Sequence, residues 1–311
     1  MTPSFLSLAN ADADTVFTVT APDGAVLPVY EFKGPDSGPT LLFGHANGFP
    51  TGAYAPWLKA LAKDVHVFSH DARGNGGSRW PAGPLDQVFH AERLADDLRL
   101  VAEAVTARLG GSAPAYLGHS LGSASALDLA IEGRLPRFPA LMLIDPPVYP
   151  SARAKSHDEA VRSHARLLAI TLKRRADWSS VEAFCERLKS LNGVFSRFPG
   201  AMLQAYGRSA LKPKPEGGFT LCCPPEVEHA IYEAHRVSGS WDKLARVSAP
   251  LELVGADPNR PDHDWISNAI VEMAAAMKHA HLTVLEGAGH LMISEEPERL
   301  LALVRRWLGC G

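Results

Sequence analysis

The sequence predicts an α/β protein, with an eight-stranded, mostly parallel sheet covered by helices on both faces and a long helical insertion after the sixth strand. Three observations predict it. Short β-rich apolar runs alternate with longer stretches of helical spacing. The alternation is suspended once, from Pro146 to about Ala249, and then resumes. A glycine-flanked serine, Ser120, stands where one strand-like run meets a helical one.

The first runs, Val16 to Val19 and Val26 to Phe32, are separated by Pro22-Asp23-Gly24, a turn signal that predicts an antiparallel hairpin at one sheet edge. Thr40 to Phe43, Val65 to Ser69, Ala115 to Leu117 and Leu141 to Ile144 follow as strands, with helical spacing between them at Tyr54 to Lys63, Phe89 to Leu109 and Ser123 to Ile131. Strands joined through helices lie parallel. From Pro146 onward no run reads as a strand, and helical stretches are broken at Asn192-Gly193, Phe198-Pro199-Gly200 and Lys212 to Gly218. An excursion of that length is too long for a simple loop. The strand pattern returns at Leu251 to Val254, with a helix near Trp265 to Met277, a strand at Leu282 to Leu285 and a closing helix from Pro297 to Trp307. The expected organisation is a core of residues 1–145 and 250–311 with a helical cap of residues 146–249 inserted between its halves.

The 311 residues are 46% hydrophobic and 21% charged, with a formal net charge of -3, which leaves no basic footprint for nucleic acid or anionic membrane. The expected partner is a small molecule. Cys185, Cys222, Cys223 and Cys310 form neither a disulfide framework nor a metal-type Cys-x-x-Cys pair, so free thiols in a reducing compartment are expected. Met1 to Asp14 lacks a basic start and a sustained apolar run, and no window reaches the roughly 18 apolar residues of a membrane span. A cytoplasmic protein without metal or cofactor is the expectation, and the oligomeric state is not legible.

Gly118-His119-Ser120-Leu121-Gly122 is weak as a bare pattern. Its position gives it weight, because a strand entering and a helix leaving are the context of a nucleophile elbow, in which a tight turn demands small neighbours and lifts the serine hydroxyl above the sheet. A serine hydroxyl needs a base. His290, in Glu286-Gly287-Ala288-Gly289-His290, lies just beyond the last strand, on the carboxyl edge where the elbow opens, whereas His279 and His281 flank the wrong end of that strand. His119 neighbours the serine but points away from it, as a packing or supporting group. The third member is a carboxylate that orients the imidazole. Asp257, after the strand that follows the insertion, is favoured over Asp145, whose place before Pro146-Pro147 suits a turn; Asp262 and Asp264 suit a helix N-terminus. The negative oxygen of a tetrahedral intermediate needs two donors, and these are placed at Leu121, after the serine, and at Asn47, in the loop Gly44 to Phe49.

With these motifs the chain resembles the α/β-hydrolase superfamily. The resemblance runs through His45-Ala46-Asn47-Gly48, Asp71 to Ser78, the Ser120 elbow, Asp257-Pro258 and Gly289-His290, and so covers nearly the whole chain. It implies an oxyanion donor at Asn47, although Ala46 replaces the family's usual glycine. In the acid segment only Ala256 separates Gly255 from Asp257, one residue fewer than usual. It also implies that Asp71 to Ser78 shapes the pocket wall. Relatives that attack with an aspartate are excluded by Ser120. The resemblance therefore implies a serine esterase acting on a small carboxylic ester, with lactone, thioester or C–C bond hydrolysis, or an inactive ligand-binding receptor, as the alternatives. In the cap, Trp178, Phe184, Phe195, Phe198, Tyr206, Tyr232 and Trp241 read more as core contacts than as pocket lining. The basic set Arg153, Arg162, Lys173, Arg174 and Arg175 reads as a solvated face.

Overall fold

The structure is a computed structural model that describes residues 13–310. Most of Met1 to Asp14, where the absence of a leader was read, lies outside them. Eight strands form one sheet: β1 (Thr15–Thr20), β2 (Val26–Phe32), β3 (Thr40–Gly44), β4 (His66–His70), β5 (Ala115–His119), β6 (Leu141–Ile144), β10 (Leu251–Ala256) and β11 (Ala280–Leu285). Their order is β1-β2-β4-β3-β5-β6-β10-β11. β1 pairs antiparallel with β2 from Thr15↔Glu31 to Thr20↔Val26, and β2 antiparallel with β4. Every later pairing is parallel. The hairpin predicted at Pro22-Asp23-Gly24 forms there: Gly24 takes φ 89° and the Ala25 N–H donates to Asp23 Oδ1 at 3.1 Å.

Alternation along each strand divides the apolar side chains between two covering layers. Leu41, Phe43, Leu117, Met142, Ile144 and Val254 face one way, onto the helices Ala55–Leu61 and Pro297–Leu308 through Trp57, Leu58, Leu300 and Val304. Leu42, Tyr116, Leu141, Leu143 and Leu253 face the other way, onto Ala91–Arg108, Leu121–Ile131 and Trp265–Ala276 through Leu98, Val101, Leu127 and Ile270. Parallel strands buried on both faces read as continuous apolar runs, which is why they were legible.

Between β6 and β10 the chain forms helices at His157–Thr171, Val181–Ser190, Gly200–Ala210 and Pro225–Val237. It also forms three short strands that the sequence reading missed: β7 (Asp177–Trp178), β8 (Leu211–Pro213) and β9 (Phe219–Leu221), paired antiparallel in the order β7-β9-β8. Two or three residues are too few to show a period of two. The break read at Lys212 to Gly218 covers the last two residues of β8 and the turn of the β8–β9 hairpin, where Gly217 and Gly218 take φ 98° and 73°. Among the described residues, no helix is long and apolar enough to cross a membrane.

Candidate active site

The loops that leave β3, β5, β6, β10 and β11 at their carboxyl ends carry Asn47, Ser120, Asp145, Asp257 and His290, so every candidate lies along one edge of the sheet. Ser120 sits between β5 and the helix Leu121–Ile131 with φ 51° and ψ -109°, a left-handed strain that non-glycine residues adopt rarely. The flanking glycines are required by close backbones. A Cβ on Gly122 would stand 2.5 Å from the backbone of Gly44 in β3, and one on Gly118 would stand 2.6 Å from the Ser123 nitrogen. The Gly122 N–H donates to the His45 carbonyl at 3.0 Å, which ties the elbow to the loop after β3.

His290 is brought to the serine across 170 residues of sequence: its Nε2 lies 3.1 Å from Ser120 Oγ. Its Nδ1–H donates at 2.7 Å to Asp145 Oδ2, not to Asp257. The acid favoured from the sequence is therefore corrected. Asp257 turns back on its own loop, where Oδ1 accepts the Asn259 N–H and Oδ2 the Gly287 N–H, each at 2.8 Å. Those two backbone donors hold its carboxyl below the usual carboxylate range. It braces the segment that carries His290 rather than touching the imidazole. Asp145 is fully buried, with φ 47°, and its Oδ1 accepts the Ala256 N–H at 3.1 Å. The left-handed turn at a non-glycine residue swings the carboxylate off the end of β6 toward the last loop. Asp264 precedes the helix Trp265–Ala276, as its N-cap position predicted, and lines the cavity beside His290.

Burial opposes protonation of His290, but the hydrogen bond and charge of Asp145, with Asp264 and Glu295 behind, outweigh it and raise the imidazole above its ordinary pKa. His119 is the opposite case: burial, and His290 beside it, push it down to about 3, so it is neutral. Its ring is held between the Tyr54 hydroxyl at Nδ1 and the His290 carbonyl at Nε2, each at 2.8 Å.

In the loop after β3, the Asn47 amide donates to the Glu228 carbonyl at 3.0 Å, which leaves the backbone N–H of Asn47 as the group that can face a substrate oxygen. Leu121 is the first residue of its helix, so its N–H has no carbonyl four residues back within the helix. The Asp71 to Ser78 loop proves to be a brace for these groups. Asn75 Oδ1 accepts the Gly48 N–H at 2.7 Å, Asp71 accepts from Tyr30, Thr51 and Gly77, and the Ala72 N–H donates to His45 Nε2 at 2.8 Å. None of residues 71–78 lines the cavity over Ser120, so its expected role as a pocket wall is not met.

That cavity encloses about 750 Å³ and is walled by Phe49, Tyr149, Leu167, Ile170, Val194 and Trp265 as well as by the candidate site. Of the aromatic residues singled out between Pro146 and Ala249, only Tyr232 reaches it. Trp178, Phe184, Phe198 and Tyr206 are buried in the core, as helical spacing suggested. Arg174 departs from the solvated face read for its basic neighbours. Its guanidinium pairs with Glu228 beneath Gly48, with the Tyr206 hydroxyl 3.3 Å away. Among the described residues no cluster of His, Cys, Asp and Glu has the arrangement of a metal site, and the four cysteines are free thiols.

A strained serine at a strand-to-helix elbow, a histidine returned to it by the last loop and a sheet of this order define an α/β hydrolase. Residues 41–303 match the alpha/beta hydrolase family, and the chain belongs to it. It is 23% identical over 283 residues to the magnesium-chelatase 30 kDa subunit of Rhodobacter capsulatus, with 88% of each chain covered. Among solved structures it is similar to E-2-(acetamidomethylene)succinate hydrolase, with a TM-score of 0.71 and 20% identity over 95% of this chain and 100% of that one. It is also similar to a thermophilic esterase from Thermogutta terrifontis, with a TM-score of 0.62 and 22% identity over 95% of this chain and 98% of that one. At these identities the likeness to the solved structures establishes the fold.

Proposed function

We propose that the protein is a serine hydrolase that cleaves a carboxylic ester through an acyl-enzyme intermediate, with Ser120 as nucleophile, His290 as general base and Asp145 as the acid that orients it. The observation that carries the reading is the continuous line from Ser120 Oγ to His290 Nε2, 3.1 Å, and from His290 Nδ1 to Asp145 Oδ2, 2.7 Å, on the floor of a cavity. Because Nδ1–H donates to Asp145, Nε2 presents a lone pair to the serine hydroxyl. Ser120 Oγ attacks the ester carbonyl carbon as its proton passes to His290 Nε2. The carbonyl oxygen becomes an oxyanion between the backbone N–H groups of Asn47 and Leu121. As the tetrahedral intermediate collapses, His290 returns the proton to the departing alkoxide and the alcohol leaves. Water, deprotonated by His290, then attacks the acyl-serine; the acid departs and the proton returns to Ser120.

The cavity volume of about 750 Å³ falls in the range of roughly 300–1,000 Å³ that encloses drug-sized ligands, and its walls are largely apolar. Both features support an ester with a substantial apolar acyl or alcohol part. Residues 146–249 act in this reading as a cap, since Tyr149, Leu167, Ile170 and Val194 supply the cavity's outer wall. The test is labelling with a fluorophosphonate, followed by peptide mapping. We expect one adduct, on Ser120, absent in Ser120→Ala; no labelling at any pH sinks the proposal. A panel of nitrophenyl esters of increasing acyl length, with a lactone and a thioester beside them, ranks the acyl groups.

A further inference from the structure

We infer that His119 and Tyr54 form a positioning relay that fixes the backbone of the general base, an inference that rests on the proposed serine-hydrolase reading. His119 is fully buried, yet both of its ring nitrogens are engaged. The Tyr54 hydroxyl donates to Nδ1 at 2.8 Å, which leaves the proton on Nε2 and directs it at the carbonyl oxygen of His290, also at 2.8 Å. The same hydroxyl accepts the Ala46 N–H at 3.4 Å, at the head of the segment that carries Asn47. One chain of hydrogen bonds thus crosses the oxyanion loop, the elbow and the loop of the base. With its pKa pushed down to about 3 by burial, His119 stays neutral and keeps this single tautomer over the working pH range.

A histidine that merely filled space would be replaceable by an aromatic hydrocarbon. Here the acceptor is the main chain of the residue whose side chain meets the serine. The near side of that loop is pinned by Asp257, which accepts the Gly287 N–H at 2.8 Å and donates its own N–H to the Ala288 carbonyl at 3.0 Å. His119 pins the far side, at His290 itself. Between the two anchors lies Gly289, where a Cβ would stand 2.6 Å from Glu295 Oε1, so that any side chain there must displace the Glu295 carboxylate. Without the second anchor the base is free to shift relative to both Ser120 Oγ and Asp145 Oδ2. The charged and titratable groups that face His290 are Asp145, Asp264, Glu295 and His119. Of these, Asp145 alone is hydrogen-bonded to the ring of His290 and therefore most sensitive to a small displacement.

The test compares His119→Phe, His119→Gln and Tyr54→Phe with the wild-type protein. It reads KM, turnover per site titrated with fluorophosphonate, and the acid limb of kcat/KM against pH. His119→Phe is expected to lower turnover per site about 10- to 100-fold, the loss typical of misplaced reacting groups, with KM within about twofold. Its acid limb moves to lower pH, because a looser Asp145 contact raises His290 less. Gln can still present an N–H to the carbonyl and is expected to recover most of the loss. Tyr54→Phe gives a smaller loss that does not add to that of His119→Phe. If His119→Phe does not fold, Tyr54→Phe carries the same comparison. Turnover per site and acid limb unchanged in both variants, or equal losses in His119→Gln and His119→Phe, overturn the relay alone. A wild-type protein that labels nowhere overturns the serine-hydrolase reading, and the relay with it.

Discussion

Replacing Asp145 by Asn changes one oxygen into an amide group without changing shape, at a side chain with no exposure to solvent. The carboxylate now accepts the His290 Nδ1–H at 2.7 Å through Oδ2 and the Ala256 N–H at 3.1 Å through Oδ1. Asparagine has one oxygen for these two donors. If that oxygen keeps Ala256, the new NH₂ faces Nδ1, and His290 must take the tautomer that carries its proton on Nε2, aimed at Ser120 Oγ and useless as a base. If the oxygen keeps His290, the NH₂ opposes the Ala256 N–H, and a buried donor goes unpaired at a cost of about 1–3 kcal/mol. The first outcome dominates, because Nδ1 can give up its proton and an amide nitrogen cannot. The corresponding change in a serine protease lowers kcat about 10⁴-fold, and we expect a loss of that order, about 5 kcal/mol of barrier. Asp257→Asn serves as the comparison. Its carboxylate accepts from two backbone N–H groups and touches no candidate catalytic group, so its loss should be about 10- to 100-fold at most, as for a side chain that supports rather than performs the chemistry, and well below that of Asp145→Asn. Both variants are assayed by nitrophenyl ester turnover and fluorophosphonate labelling rate, with circular dichroism to confirm folding. If Asp257→Asn costs more than Asp145→Asn, or if Asp145→Asn stays within tenfold of wild type, the assignment of Asp145 is wrong.

The raised pKa of His290 places the acid limb of kcat/KM above pH 6.5, the ordinary value: the base works only when neutral, so activity rises as pH passes upward through its pKa. A limb at or below that value in the wild-type pH profile contradicts the geometry. Gly122→Ala sets a Cβ 2.5 Å from the Gly44 backbone, which cannot yield as a side chain would; a loss of at least about 1–3 kcal/mol in urea unfolding is expected, and an unchanged midpoint refutes the contact. Arg174→Met strands the Glu228 carboxylate, which is largely buried, beneath Gly48. Removing one partner of a buried pair costs about 3–5 kcal/mol, and Arg174 is partly exposed, so we expect the low end of that range by denaturant unfolding, with no loss as the refuting result.

Much of the fold was legible because its signals are local. All eight sheet strands fell on runs that the apolar pattern picked out, the central ones most plainly, since strands buried on both faces must be apolar throughout. The elbow was readable because strand, serine and helix are contiguous, and His290 because two glycines and the last strand place it. The strands β7 to β9 escaped because a two- or three-residue strand in a small antiparallel sheet has no period to detect. The brace formed by Asp71 to Ser78 escaped for another reason: a polar loop gives no sign of which backbone groups it will satisfy. One clue to the acid did stand in the sequence. The shortened spacing from Gly255 to Asp257 set that segment apart, but shortness alone does not say where the chain turns.

By itself, the sequence determined the α/β architecture and pointed to Ser120 and His290 as the candidate pair, because each signal depends on residues close together along the chain. Only the tertiary structure shows that Asp145, and not Asp257, meets the imidazole of His290. β6 and β10 are parallel neighbours, with Ile144 opposite Val254, so both acids leave the sheet at the same edge and follow the serine in the same chain order. The choice turned on the left-handed backbone of Asp145, φ 47°, and on the backbone donors that claim Asp257. Those are long-range contacts, which composition and spacing do not encode one residue at a time.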